Sequence, residues 1–172
     1  MNSGILSTAV YFPDKILTKA DLVRMGADPA QLDKWGIQER RVAVDETATD
    51  MEAKAGLLAI KRAGLGTEDI DLVIGVKFGA EKPMPPNILR SHYKMGLHRA
   101  AAFEVDLACA GSIPAMMMAD VFVRAGQYKK VLLVGSCWLD KTADPTDAAV
   151  FAVVGDGASA VVVHGIHGRW LL

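Results

Sequence analysis

Several features that would settle a function class outright are missing from this sequence. It has two cysteines, Cys109 and Cys137, in 172 residues. That is too few for the disulfide framework of a secreted domain, and both lie in apolar contexts, so a reducing cytoplasm is expected. No run of lysine or arginine occurs and the formal net charge is -1, which leaves no electrostatic footprint for nucleic acid or an anionic membrane. No stretch reaches the roughly 18 apolar residues of a membrane span, and the first residues, MNSGILSTAVYFPDK, carry no basic segment ahead of their apolar ones. Neither a membrane anchor nor a secretion signal is expected. With no Cys-x-x-Cys pair and no histidines at ligand spacing, no metal is expected. Gly155-Asp156-Gly157 reads as a tight turn rather than a phosphate loop, because neither a helix nor a lysine follows it. No cofactor is therefore called for.

What is present is the composition of one globular domain, 51% hydrophobic and 23% charged, without repeats or low-complexity linkers. Short β-branched runs alternate with segments of helical period. Strands are expected at 5–12, 70–76, 103–107, 131–135 and 158–164. Thr18 with Asp21 opens a short helix, and Asp28-Pro29 opens another that ends before Gly36. A longer helix is expected from Thr49, with Thr49 and Glu52 as its capping box, to Gly64. Further helices are expected over 86–95 and from Cys109 to Ala125, with a polar loop after the strand that ends at Gly135. This alternation points to an α/β protein with an open, mostly parallel sheet covered by helices on both faces.

Chemistry concentrates at residues 104–120, EVDLACAGSIPAMMMAD. A strand that ends in small residues and turns at once into a helix places Cys109 where unpaired N–H groups and the helix dipole favour an anion. A thiolate is such an anion, and Ala108, Ala110 and Gly111 leave room for a substrate. The Cys109 N–H is also a candidate oxyanion donor. The competing reading is packing, since free cysteine is among the most buried residue types. Packing is the reading for Cys137, at a strand end. His92, His98, His164 and His167 read as surface or strand-end residues, and none is assigned a catalytic role.

Asp106-Leu107-Ala108-Cys109-Ala110-Gly111 resembles the active-site cysteine motif of the beta-ketoacyl-acyl-carrier-protein synthase III family, thiolase-like condensing enzymes. Gly36-Ile37-Gln38-Glu39-Arg40-Arg41, Asp144-Pro145-Thr146-Asp147 and Gly155-Asp156-Gly157-Ala158 resemble further landmarks of the family, in order. Tyr11-Phe12-Pro13 fits the end of its first strand. The resemblance implies a thiolase-like half-fold with a five-stranded mixed sheet over 1–172, the C-terminal half being absent from this chain. It implies that Cys109 takes an acyl group from an acyl thioester, carried by coenzyme A or acyl carrier protein. A malonyl-acyl-carrier-protein thioester then decarboxylates and attacks the acyl-enzyme, initiating fatty-acid or related synthesis. The family's histidine and asparagine come from the second half of a chain about twice this length. A homodimer, paired across the sheet edge near 103–107, is also implied.

Four positions bear on substrate, among them Pro29, where the family usually has a tryptophan for the coenzyme A adenine, and Ala148, where many members carry an arginine. Lys34 stands where the family commonly has an arginine for the coenzyme A phosphates, and lysine lacks arginine's planar fork. Met84 lies near the place of a phenylalanine that reaches across the dimer into the acyl pocket, where a flexible thioether would shape a different cavity. A longer or branched acyl primer is the expectation. Two alternatives stay open: a non-catalytic association subunit, and an acyl transferase or thioesterase that does not condense.

Overall fold

The computed structural model describes residues 2–138 and 148–166. Strands β1 (Asn2–Tyr11), β4 (Leu72–Phe78), β5 (Ala101–Val105), β6 (Lys130–Cys137) and β7 (Gly157–Ile166) form one sheet in the order β1-β7-β6-β4-β5. A separate two-stranded antiparallel sheet pairs β2 (Lys15–Thr18) with β3 (Glu39–Val42). The helices are α1 (Lys19–Arg24), α2 (Pro29–Trp35), α3 (Ala48–Arg62), α4 (Asn87–Lys94), α5 (Ser112–Arg124) and α6 (Ala148–Val153).

All five expected sheet strands are present, and the sheet is mixed. Its ladders divide evenly, however: β4 is parallel to β5 and to β6, while β7 is antiparallel to both β6 and β1. The expectation of a mostly parallel sheet is corrected accordingly. Two further corrections concern local structure. The polar loop expected after β6 contains α6 from Ala148 onward. The cap of α3 is Thr47, whose hydroxyl accepts from the Asp50 N–H while Asp50 accepts from the Thr47 N–H at 3.0 Å. Thr49 and Glu52, the expected pair, are both buried inside the helix. Two threonines each stand three residues before an acid, and the later acid is taken up by the core. The caps at Thr18 and Asp28 are as expected. The Asp144-Pro145-Thr146-Asp147 segment and His167 lie outside the described residues.

Strand alternation divides the core. Val73, Leu132, Val134, Ala160 and Val162 face α3 and α4, packing with Met51, Ile60, Ile88 and Met95. Leu72, Ile74, Val131, Leu133 and Val163 face α5, where Ala115, Ala119 and Val123 are fully buried. Period-2 strands and a small-residue stripe at i, i+4, i+8 are what sheet and helix need to meet closely. On the α3 side the contact depends on Gly56, where a Cβ would stand 2.3 Å from the Met95 sulfur.

The outer side of α5 is different. Ile113, Met117 and Val121 repeat the i, i+4, i+8 spacing two positions away and are 61%, 64% and 61% exposed. No helix among the described residues is long and apolar enough to cross a membrane.

Candidate active site

Cys109 does not begin α5. It sits in a 3₁₀ turn, Ala108–Ala110, between β5 and the helix. The turn is closed by Ala110 N–H donating to Leu107 O and Gly111 N–H donating to Ala108 O, both at 3.1 Å. Pro114 explains why the helix cannot start earlier. Proline lacks an N–H and is tolerated in the first helical turn, so a start at Cys109 would put it where a bonded N–H is required. In the observed frame Pro114 is the third residue of α5.

The turn is tightly determined. Ala108 has φ of 46°, the one non-glycine with positive φ among the described residues, a conformation that costs about 1–3 kcal/mol unless its surroundings hold it. Gly111 supplies part of the hold. A Cβ there would stand 2.7 Å from Val76 Cγ1 on β4, so the chain can lie against the sheet only without a side chain. The result is an exposed Cys109 thiol on a turn anchored to β4.

Cys109 lines an open cavity of about 790 Å³ with Ser112 and Met116 of α5, Val76 and Phe78 of β4, and the ends of β6 and β7. Cys137 lies in the same wall but in a different state. It is half-buried, and burial pushes its thiol up to about 11, with Asp156 and Cys109 adding to the effect. Such a group stays a neutral thiol at pH 7 and is a poor nucleophile.

The cavity is also bounded by Arg40, Arg41, Gly155 and Asp156. Here two sequence motifs meet. The Asp156 N–H donates to Arg41 O at 2.8 Å and its Oδ2 accepts from the Ala43 N–H at 2.8 Å. The Arg40 guanidinium donates to Val154 O at 2.9 Å. Arg40 and Asp156 are both buried. In the sequence Gly155-Asp156-Gly157 reads only as a turn, whereas in the fold its aspartate ties β7 to β3.

Lys34 and Met84 do not line this cavity. Lys34 is in the last turn of α2, and Met84 is 73% exposed in the segment between β4 and α4. The described histidines are also elsewhere: His92 Nε2 is 2.9 Å from Ala100 O, and His98 packs edge-on against Tyr93. No group of three potential metal-ligating side chains occurs among the described residues.

A family model described as 3-oxoacyl-[acyl-carrier-protein (ACP)] synthase III matches residues 103–170, which include the cysteine turn, α5 and the Gly-Asp-Gly turn. The beta-ketoacyl-[acyl-carrier-protein] synthase III 1 of Vibrio vulnificus is 40% identical over 166 residues, covering 95% of this chain and 52% of its own. The crystal structure of 3-oxoacyl-[acyl-carrier-protein] synthase III from Aquifex aeolicus superposes with a TM-score of 0.89 at 33% identity, over 96% of this chain and 55% of that one. Over nearly its whole length the chain is similar to part of the beta-ketoacyl-acyl-carrier-protein synthase III enzymes. Its fold is thiolase-like, and it spans about half the length of the curated relatives it matches. A priming beta-ketosynthase of a polyketide pathway also superposes, with a TM-score of 0.89 at 28% identity, over 95% of this chain and 50% of its own.

Proposed function

We propose that Cys109 is the acyl-accepting nucleophile of a synthase III-type condensing enzyme. The observation that carries this reading is an exposed thiol on a strained, sheet-anchored turn at the wall of an apolar cavity. The Cys109 sulfur attacks the carbonyl carbon of an acyl thioester, the carrier's sulfur leaves, and the cysteine's proton goes to the departing thiol. Loss of carbon dioxide from a malonyl thioester on acyl carrier protein then gives a carbanion. This attacks the acyl–cysteine carbonyl, forming the carbon–carbon bond of a 3-oxoacyl thioester and returning the thiolate to Cys109.

The second step needs donors for the developing enolate. In the family these are a histidine and an asparagine from the remaining half of the longer chain, and the histidines described above are not placed to replace them. The 172-residue domain alone is therefore expected to acylate without condensing. Lys34 in place of arginine weakens a coenzyme A phosphate grip, and Met84 replaces a rigid ring with a flexible thioether. The first disfavours acetyl-coenzyme A as the primer, and the second favours an acyl group longer or more branched than acetyl. A homodimer is proposed along β5, the sheet edge whose outward N–H and C=O groups have no neighbouring strand among the described residues.

The test is product analysis by mass spectrometry with acyl thioesters of graded length and malonyl-acyl-carrier protein. Enzyme carrying both halves should yield 3-oxoacyl thioester, and Cys109→Ala should lower turnover by three orders of magnitude or more, on the order of other nucleophile deletions. Preference for acetyl would refute the primer assignment. An active Cys109→Ala enzyme would refute the mechanism.

A further inference from the structure

Behind the cavity, on the opposite face of the sheet, lies a group that the proposed chemistry does not use. Glu52 points from α3 into the space between α3, α4 and the sheet and is only 3% exposed. Its Oε1 accepts from the Ser136 hydroxyl at 2.7 Å, and its Oε2 is buried with no hydrogen-bond partner. The charges around it are mostly of its own sign. Glu104 of β5 accepts the Ile88 N–H at 3.0 Å. Glu81 accepts the Thr49 N–H at 2.7 Å and pairs with Arg90 of α4 at 2.8 Å.

The nearby cations are committed elsewhere. Arg90 serves Glu81 and Asn87, Lys94 serves Asp50 and Thr49, and Lys77 pairs with Asp106 at 3.0 Å. The Ser91 hydroxyl is directed to the carbonyls of Asn87 and Ile88, each at 3.2 Å. An ionised Glu52 would thus be a buried charge offset only by the Ser136 and Ser91 hydroxyls, with two carboxylates as neighbours. That is among the costliest arrangements a core can hold.

We propose that Glu52 is held as a neutral carboxylic acid below neutral pH, and that with its hydrogen bond to Ser136 it acts as a latch fastening α3 to the cavity end of β6. Ser136, its partner, directly precedes Cys137, and both line the cavity wall. Ionising Glu52 places a charge beneath the segment that shapes that wall. The latch therefore links the packing of the closed face to the geometry of the open one.

Burial, reinforced by Glu104 and Glu81 and opposed by the Ser136 and Ser91 hydroxyls, pushes the Glu52 carboxyl up from 4.5 to about 7. The sign follows from proton linkage. The folded protein holds this proton over a range in which the unfolded chain has released it, so stability falls as pH rises from about 4.5 to about 7 and is level beyond.

The test compares the chain with its Glu52→Gln variant, which has the same shape and no ionisation. Between pH 5 and 8 the wild-type folding equilibrium constant should fall by roughly a hundredfold more than that of E52Q. Histidine titration is common to both and cancels. Infrared titration of the wild type provides a second readout that does not require the variant to fold. A neutral-carboxyl carbonyl band should persist at pH 6 and disappear near pH 7 to 8. Parallel pH profiles for the two proteins, or no such band at pH 6, would overturn the proposal.

Discussion

On the α3 side of the sheet, Met51, Ile60, Leu132 and Val162 are almost wholly removed from water. On the α5 side burial reaches Ala115, Ala119 and Val123, and the next stripe of the same helix stands in solvent. The two sides do not differ in hydrophobicity, because α5 is apolar around most of its girth. They differ in what is available to cover them. The α3 side is closed by α4, whereas the outer stripe of α5 has no covering element among the described residues. The cysteine turn sits at the junction, anchored to β4 on one side and open to the cavity on the other.

If the closed face carries the stability of this domain, truncating it should have the largest effect. Leu132→Ala is expected to cost about 2–5 kcal/mol, the range for emptying a packed core site, as measured by chemical denaturation. A cost below about 1 kcal/mol would mean that this face is looser than its burial indicates.

Gly111→Ala tests the junction. The added methyl group meets Val76 Cγ1 at 2.7 Å, so the turn must lift from β4 or the valine must move. A loss of about 1–3 kcal/mol is expected, accompanied by slower acylation of Cys109. Normal acylation in a stable Gly111→Ala protein would show that the anchoring does not position the thiol.

The cap of α3 should matter less. Thr47→Ala is expected to cost about 1 kcal/mol. Its partner, the Asp50 carboxyl, would be raised by burial alone, but Lys94 and the Thr47 bonds outweigh this and hold it at about 2. Because this acid is depressed, its contribution is present above the ordinary carboxylate range and is lost as pH falls from about 4 to 2. Exposure to solvent keeps it below about 1 kcal/mol. Thr47→Ala should weaken this acid-limb dependence, which a denaturation series from pH 5 to 2 would detect.

The smallest effect is expected on the open face. Met117→Ala should change folding stability by no more than about 0.5 kcal/mol, while Met117→Lys should reduce self-association in sedimentation, since it breaks an exposed apolar stripe. A large stability loss at Met117 would mean that the stripe is covered after all.

Much of this arrangement is legible in the sequence where local rules act alone. The five sheet strands follow from β-branched runs, the starts of α1 and α2 from Thr18 and Asp28, and the cysteine's place after a strand from its small neighbours. What escaped depends on contacts distant in sequence. Lys15–Thr18 and Glu39–Val42 are short and charged, and they become strands only by pairing with each other. The antiparallel sense of β1 and β7 joins residues more than 140 positions apart, as Tyr11 and Ala158 do. Thr47 prevails over Thr49 as the cap because Glu52 is drawn inward to Ser136. Asp156 is recognisable as a clasp only once β3 lies beside it.

The central claim, that Cys109 and not Cys137 carries the chemistry, is tested most directly by locating the covalent acyl group. The protein would be incubated with an acyl thioester, quenched in acid, digested and mapped by mass spectrometry. The account predicts one acyl group per chain, on the peptide containing Cys109, and none on Cys109→Ala. Acyl groups on Cys137, or undiminished acylation of Cys109→Ala, would contradict it.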